Sequence, residues 1–346
     1  MPILYRILST CSLICLITLS GCQKNEKTGS ETKGSSFETI QPTVDPDVIA
    51  EEDRVLTVEE MREALGANEN AHFEKTGRKF SVALLTNSGA KTLEPLKGQP
   101  LKVIDLSQTH ITDLSPLEGM ELDNIGMAET KIADISALKG MPLKHVDGTR
   151  SLIEDISPLA GMTQLTHVFF EEAKIKDITP LKNLPLKAVW LNGCPIKDLS
   201  PLENMQLEQL NLCDTPLENL DTVKTMQLGT LWMRNTAVKE LAPLANHGLV
   251  SLDVQGSAVD NLKALSKMTT LKRLNIADTE VTDLSPLKGL QLERIIFSPS
   301  KITEGIDAIR EMQSLQGIDL SFDGVAQPMS PAIFWDRYDA GEFKAK

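Results

Sequence analysis

Aromatic residues make up only 4% of the 346-residue chain, so the positions they occupy are informative. Basic residues are outnumbered 35 to 48, which leaves a formal net charge of −13. That balance argues against nucleic acid or an anionic lipid surface as the main partner. Cysteine is sparse, at Cys11, Cys15, Cys22, Cys194 and Cys213, with no Cys-x-x-Cys pair and no Cys/His cluster at zinc spacing. No metal or other cofactor is therefore expected. The sequence also lacks a G-x-S-x-G elbow, an H-E-x-x-H helix, a phosphate loop and the kinase motif set. Without these, the chain reads as a protein that is not an enzyme.

Long apolar runs are missing too. The main one, "ILSTCSLICLITL" at 7–19, follows Arg6. It has the length of an export-signal core and is too short to span a bilayer of about 30 Å. It ends in "LSGC", an aliphatic residue and two small ones before Cys22. This resembles the lipobox of bacterial lipoproteins. The resemblance implies cleavage before Cys22, acylation of that residue by palmitate-like chains, and a membrane partnership through the lipid anchor. An ordinary signal peptide or an uncleaved anchor with a chance cysteine is the alternative. Gln23, rather than Asp, follows the cysteine; by resemblance to the enterobacterial sorting rule this favours the outer membrane of the cell envelope. Residues 23–55 are polar, rich in Ser, Thr, Gly, Lys and Glu. Such a segment has little apolar surface to offset ordering entropy and reads as a flexible tether.

From residue 80 one phrase recurs: "HITDLSPLEGM" at 110–120, "KIADISALKGM" at 131–141, "PIKDLSPLENM" at 195–205, "EVTDLSPLKGL" at 280–290. Units begin at Phe80, Leu101, Leu122, Leu143, Leu165, Leu186, Leu207, Leu228, Leu249, Leu271, Leu292 and Leu315, mostly 21 residues apart. Each opens L-x-x-L-x-L, as in "LKVIDL" and "LKRLNI". Period and opening together are the signature of leucine-rich repeats. The "I-x-D-L-S-P-L" phrase resembles the internalin-like subclass, and "L-K-G-M-P-L" is similar to planctomycete-type repeats. The expected fold is an α/β solenoid: a leucine-rich-repeat arc with a parallel β-sheet on its concave face, short 3-10 turns on its convex face and helical caps at both ends. Its domains read as 1–21 signal, 22–55 lipidated cysteine and tether, 56–79 helical cap, 80–325 repeats and 326–346 aromatic cap.

Each unit is expected to place a strand at its fourth to seventh positions, with the fourth and sixth residues inward and the third, fifth and seventh outward. In D-L-S-P-L the Ser is expected to cap a short helical turn with Pro at its first position, while the Asp accepts backbone N–H groups. The Asp column is read as structural, since no glycine-rich calcium nonapeptide accompanies it. The ninth positions are small and mostly hydroxylated, which suits local backbone bonding. Cys194 falls in that column and Cys213 in an outward one, so the two are not expected to pair.

The outward columns collect the scarce aromatics. Phe169, Trp190 and Trp232 share the fifth column. His145 and His167 flank them, and Glu171, Asn192, Asn211 and Arg234 lie at the edge. Clustered exposed rings with polar neighbours suggest a ligand surface for a protein or glycan at the cell envelope. Three readings stand against it: aromatics favoured simply by strand propensity, rings covered by a loop or the tether, and a structural envelope spacer with no defined ligand. The paired histidines are more simply solvated than metal-bound.

Overall fold

The computed structural model describes residues 56–322 and 328–343. The expected export signal, Cys11, Cys15, the expected lipidation site Cys22, the expected tether, the end of the expected repeat range and part of the last expected segment lie outside the described residues. The repeats and their caps form one unit, which begins at Val58.

Helix α1 (Val58–Leu65) leads into strand β1 (His72–Thr76) and then β2 (Lys79–Leu84). The next strands are β3 (Val103–Asp105), β4 (Asn124–Gly126), β5 (His145–Asp147), β6 (His167–Phe169), β7 (Ala188–Trp190) and β8 (Gln206–Asn211). After them come β9 (Gln227–Trp232), β10 (Ser251–Asp253), β11 (Arg273–Asn275), β12 (Arg294–Ile296) and β13 (Gly317–Asp319). All thirteen lie in one sheet in sequence order. β1 pairs antiparallel with β2, and the later neighbours pair in parallel, with equivalent residues of successive units opposite one another. A 3-10 turn such as Ser115–Leu117 or Ser285–Leu287 comes after the strand in most units. A short helix, α2 (Asp307–Arg310), takes its place before β13, and α3 (Pro331–Asp339) closes the chain.

In most units the extended segment starts one position and ends two positions earlier than expected, at the third to fifth residues, as in Val103–Asp105; β8 and β9 also end at the fifth residue but begin one residue before their units. The reason is the eighth residue. Gln108, Glu129, Arg150 and Glu172 all take positive φ, between 54° and 60°. The chain must begin to turn before that left-handed residue, although backbone bonds to the next unit continue, as from Leu106 N–H to Gly126 O at 2.7 Å. The inward and outward assignments are unaffected. Ile104, Leu106 and Leu117 are fully buried, each such side chain contributing about 1.5–3 kcal/mol. One inward position is Gly148, and the Phe170 ring of the next unit fills its space: a Cβ at 148 would lie 2.7 Å from that ring.

The repeated phrase folds somewhat differently from expectation. Ser115 is the first residue of the 3-10 turn, not its cap, and the preceding Leu114 makes no side-chain cap bond. The aspartate accepts a backbone N–H as expected, and it is the cap. Asp113 Oδ1 accepts the Ser115 N–H at 2.8 Å, and Asp134, Asp155, Asp177, Asp198 and Asp283 repeat the bond at 2.7–2.8 Å. A carboxylate two residues ahead reaches the orphan N–H of a tight turn better than a hydroxyl inside it. The ninth-position hydroxyls bond within their own unit, Thr109 Oγ1 to Leu106 O at 2.6 Å and Thr279 Oγ1 to Ile276 O at 2.7 Å. Cys194, in the same column, instead reaches Phe170 O of the preceding unit at 2.9 Å.

At the first end α1 buries Met61 and Leu65. The expected all-helical cap over 56–79 is in fact a helix followed by β1. A helix alone would leave the backbone of β2 unpaired along an open sheet edge. At the far end Phe334 is fully buried, with its ring 5.6 Å from Phe297 and 5.1 Å from Phe343. The edge strand β13 is partnered by a single antiparallel bridge, Ile318 N–H donating to Met329 O at 3.0 Å.

Candidate functional site

Most of the fifth column of the concave sheet is of two kinds, the exceptions being Leu84, Gly126 and Ile296, which neither brace nor carry a ring, and Asp319, which pairs with Arg294. At Asp105, Asp147, Asn211, Asp253 and Asn275 the side-chain Oδ1 accepts the backbone N–H two residues on, at 2.9–3.1 Å. These side chains brace the turn that ends their own strand. Phe169, Trp190 and Trp232 occupy the same column and have no oxygen for that bond. Each surrendered brace forgoes about 0.5–1.5 kcal/mol.

What those three units gain is a continuous row of rings. Strand pairing sets Phe169 opposite Trp190, and their centroids lie 5.0 Å apart at 67°. Trp190 then meets Trp232 at 5.9 Å and 86°. On the other side the His145 and His167 rings lie 4.4 Å apart, and His167 is 6.1 Å from Phe169. The five rings span β5 to β9. They are half-buried by one another, so the row is a shelf and not a set of independent side chains.

His145 Nδ1 donates to Asn124 Oδ1 at 2.6 Å, and His167 Nδ1 lies 2.8 Å from Thr166 Oγ1. Burial drives the His145 pKa down to about 4, the charges of His167 and Lys144 acting in the same direction and Asp123 opposing. Burial lowers His167 as well. Both imidazoles are neutral at pH 7 and extend the apolar shelf. No group of three His, Cys, Asp or Glu suited to a metal ion occurs among the described residues.

The polar residues expected at the rim separate into different roles. Glu171 Oε2 accepts from Asn192 Nδ2 at 3.1 Å, and burial raises the Glu171 pKa. This pair lies at the seventh positions next to Phe169 and Trp190. Asn211 belongs to the fold: it is only 2% exposed and braces Cys213 N–H. Arg234 Nε lies 3.6 Å from Asp253 Oδ2, and the Arg234 N–H donates to Cys213 Sγ at 3.3 Å. Cys213 is on the outward face but only 2% exposed, covered by its neighbours, and both it and Cys194 are free thiols.

The sequence reading missed Phe322. Its ring lies 5.7 Å from the guanidinium carbons of both Arg234 and Arg294. It falls after the last strand, where the repeat register no longer assigns a face.

No family model matches the chain, and no curated protein does. Solved structures do. An internalin (inlF) from Listeria monocytogenes is 23% identical, with 78% of this chain and 91% of that chain covered, at a TM-score of 0.59. A second internalin (inlC2) from the same organism is 20% identical, covering 68% of this chain and 90% of that one, at a TM-score of 0.34. The first of these likenesses, with the strand order and register above, defines the class: a leucine-rich-repeat solenoid. Within that class the fold is internalin-like.

Proposed function

We propose that this protein is a non-enzymatic binding module that holds an extended segment of a partner protein against its concave sheet, with Phe169, Trp190 and Trp232 as the contact row. The observation that carries this reading is the exchange within the fifth column. Five units use Asp or Asn to brace their own strand ends, whereas between β6 and β9 every unit but that of Asn211 carries a ring in place of the brace. The brace is also absent at Leu84, Gly126 and Ile296, with no ring in its place; what is gathered in one cluster is the rings. Half-exposed aromatic anchors with a polar edge are the residues that carry most energy in protein interfaces. The ring angles favour a protein over a glycan. Sugars stack on flat faces, whereas Phe169, Trp190 and Trp232 meet at 67° and 86° and present alternating edges and faces. Such relief suits aliphatic and aromatic side chains.

The module is, in this proposal, exported and tethered to the outer membrane of the cell envelope through acylated Cys22. The support is the sequence: the apolar segment at 7–19, "LSGC", Gln23 and the polar stretch after it. More than one acyl chain gives stable anchoring where a single chain does not. Cys22→Ser is expected to move the protein from the membrane to the soluble fraction and to abolish palmitate labelling; unchanged labelling would contradict the anchor.

The binding reading is tested with the chain lacking its export segment, immobilised and titrated with envelope proteins. Saturable capture of a defined protein, lost in Trp190→Ala/Trp232→Ala while the fold is kept and Tm falls by only a few degrees, is the expected outcome. Capture that survives the double substitution, or is abolished by glycosidase treatment of the extract, would reject it.

A further inference from the structure

Two arginines on the concave face hold one phenylalanine between them. Arg234 follows Trp232 by two residues, so it projects from the same face at the end of the aromatic row. Arg294 stands on β12, three strand steps away, a span of about 14 Å. Their side chains nonetheless converge on the Phe322 ring, each guanidinium carbon 5.7 Å from its centroid. Both distances fall within the roughly 6 Å range of cation–π attraction.

The two guanidiniums are held in place independently of Phe322. Arg234 lies against Asp253, which is 9% exposed, and Arg294 Nε donates to Asp319 Oδ2 at 3.0 Å. Asp319 Oδ1 in turn accepts the Met329 N–H at 3.3 Å. A planar guanidinium fixed at its edge by a carboxylate still presents its face for stacking. The seat is thus built by β9, β10, β12 and β13, and Phe322 enters it from the turn that follows β13.

We propose that Arg234 and Arg294 form a second binding seat on the concave face, one that takes an aromatic side chain of the partner, and that Phe322 fills this seat when the partner is absent. The proposal rests on the concave-face binding reading and extends it toward the C-terminal end. The molecule itself shows what the seat accepts: an aromatic ring, in a segment where an acidic residue, Asp323, follows in the sequence. Phe322 lies three residues beyond Asp319, so its effective concentration at the seat is of millimolar order or above. A loose aromatic ligand loses that competition. A segment already anchored on Trp190 and Trp232 runs directly into the seat and competes on equal terms. Phe322 thereby discriminates between partners that engage both places and those that engage one.

The test uses Phe322→Ala and a synthetic peptide of residues 318–329, titrated to millimolar concentration, with the Arg234 and Arg294 Nε–H signals followed by NMR. Saturable shifts of both signals in Phe322→Ala, at least tenfold weaker in the parent protein, are expected. Phe322→Leu should behave as Phe322→Ala does, and Arg234→Gln/Phe322→Ala should not respond. Trp190→Ala/Phe322→Ala should still bind the peptide, which separates this seat from the aromatic row. Equal affinity in parent and Phe322→Ala, no saturation in Phe322→Ala, or parent-like behaviour of Phe322→Leu would overturn the proposal. Loss of peptide binding in Trp190→Ala/Phe322→Ala would overturn it too.

Discussion

Trp190 and Trp232 meet ring to ring at 5.9 Å although a whole strand, β8, lies between them. Two strand steps amount to about 9.6 Å, so the indoles lean toward each other across the intervening residue. That residue is Asn211, whose side chain turns back to brace Cys213 N–H and leaves room above it. The shelf therefore depends on where rings and braces alternate, and not on the rings alone.

Removing an indole should affect binding far more than stability. Each ring contact contributes about 0.5–1.5 kcal/mol beyond its area burial. Trp232→Ala should lower Tm by only a few degrees, read by circular dichroism, while abolishing partner capture. A collapse of the far-ultraviolet spectrum would assign Trp232 to the core instead.

Gly148 and Phe170 form a small–large pair inside the solenoid. Gly148→Ala places a methyl 2.7 Å from the Phe170 ring and 2.9 Å from Ile153. Overpacking of this kind costs about 1–3 kcal/mol. Denaturant unfolding should show that loss, and Phe170→Leu in the Gly148→Ala background should recover part of it. Strict additivity of the two substitutions would show that they do not share one space.

The capping aspartates give a second stability test. Asp113→Ala removes the acceptor of the Ser115 N–H, whereas Asp113→Asn retains Oδ1. Tm should fall for Ala and hold nearly constant for Asn. The bonds from Ser115, backbone first, keep the Asp113 carboxyl below its ordinary pKa. Its contribution is complete above the unfolded value of about 3.9 and is lost as pH falls through the folded one.

The histidine pair titrates the shelf itself. Lys144 and Asp123 act on His145, and Lys187 and Glu208 act on His167. Both imidazoles are depressed in the fold, so below about pH 6.5 the unfolded chain binds protons that the folded chain refuses. Their contribution to stability is whole above that pH and declines toward the His145 value of about 4. Carbon-bound imidazole protons followed by NMR should titrate below 6.5 for both residues. A His145 midpoint at or above 6.5 would contradict the stacked, neutral arrangement.

The repeat made much of this legible. Unit starts, inward residues, the neighbouring placement of Phe169 and Trp190, and the unpaired Cys194 and Cys213 all derive from one register counted a dozen times. Features that the register does not encode were missed or displaced. The strand ends early because the eighth residue is left-handed even where it is Gln108, Glu129 or Arg150, residue types that give no such signal. The cap belongs to Asp113 and not Ser115 because a 3-10 turn starts one residue sooner than a helical reading allows. Asn211 was placed with the binding residues because an outward position does not reveal that a short side chain folds back on its own strand. Phe322 escaped because it is the eighth residue of the truncated last unit, a turn position to which the inward–outward alternation assigns no face.

The most direct measurement is hydroxyl-radical footprinting of the protein with and without its captured partner. Trp190, Trp232 and Phe169 should be oxidised in the free protein and protected in the complex, while Asp-capped turns such as 113–117 on the opposite face keep their free-state reactivity. Protection of those turns with the three rings left reactive would place the partner on the other face and contradict the account.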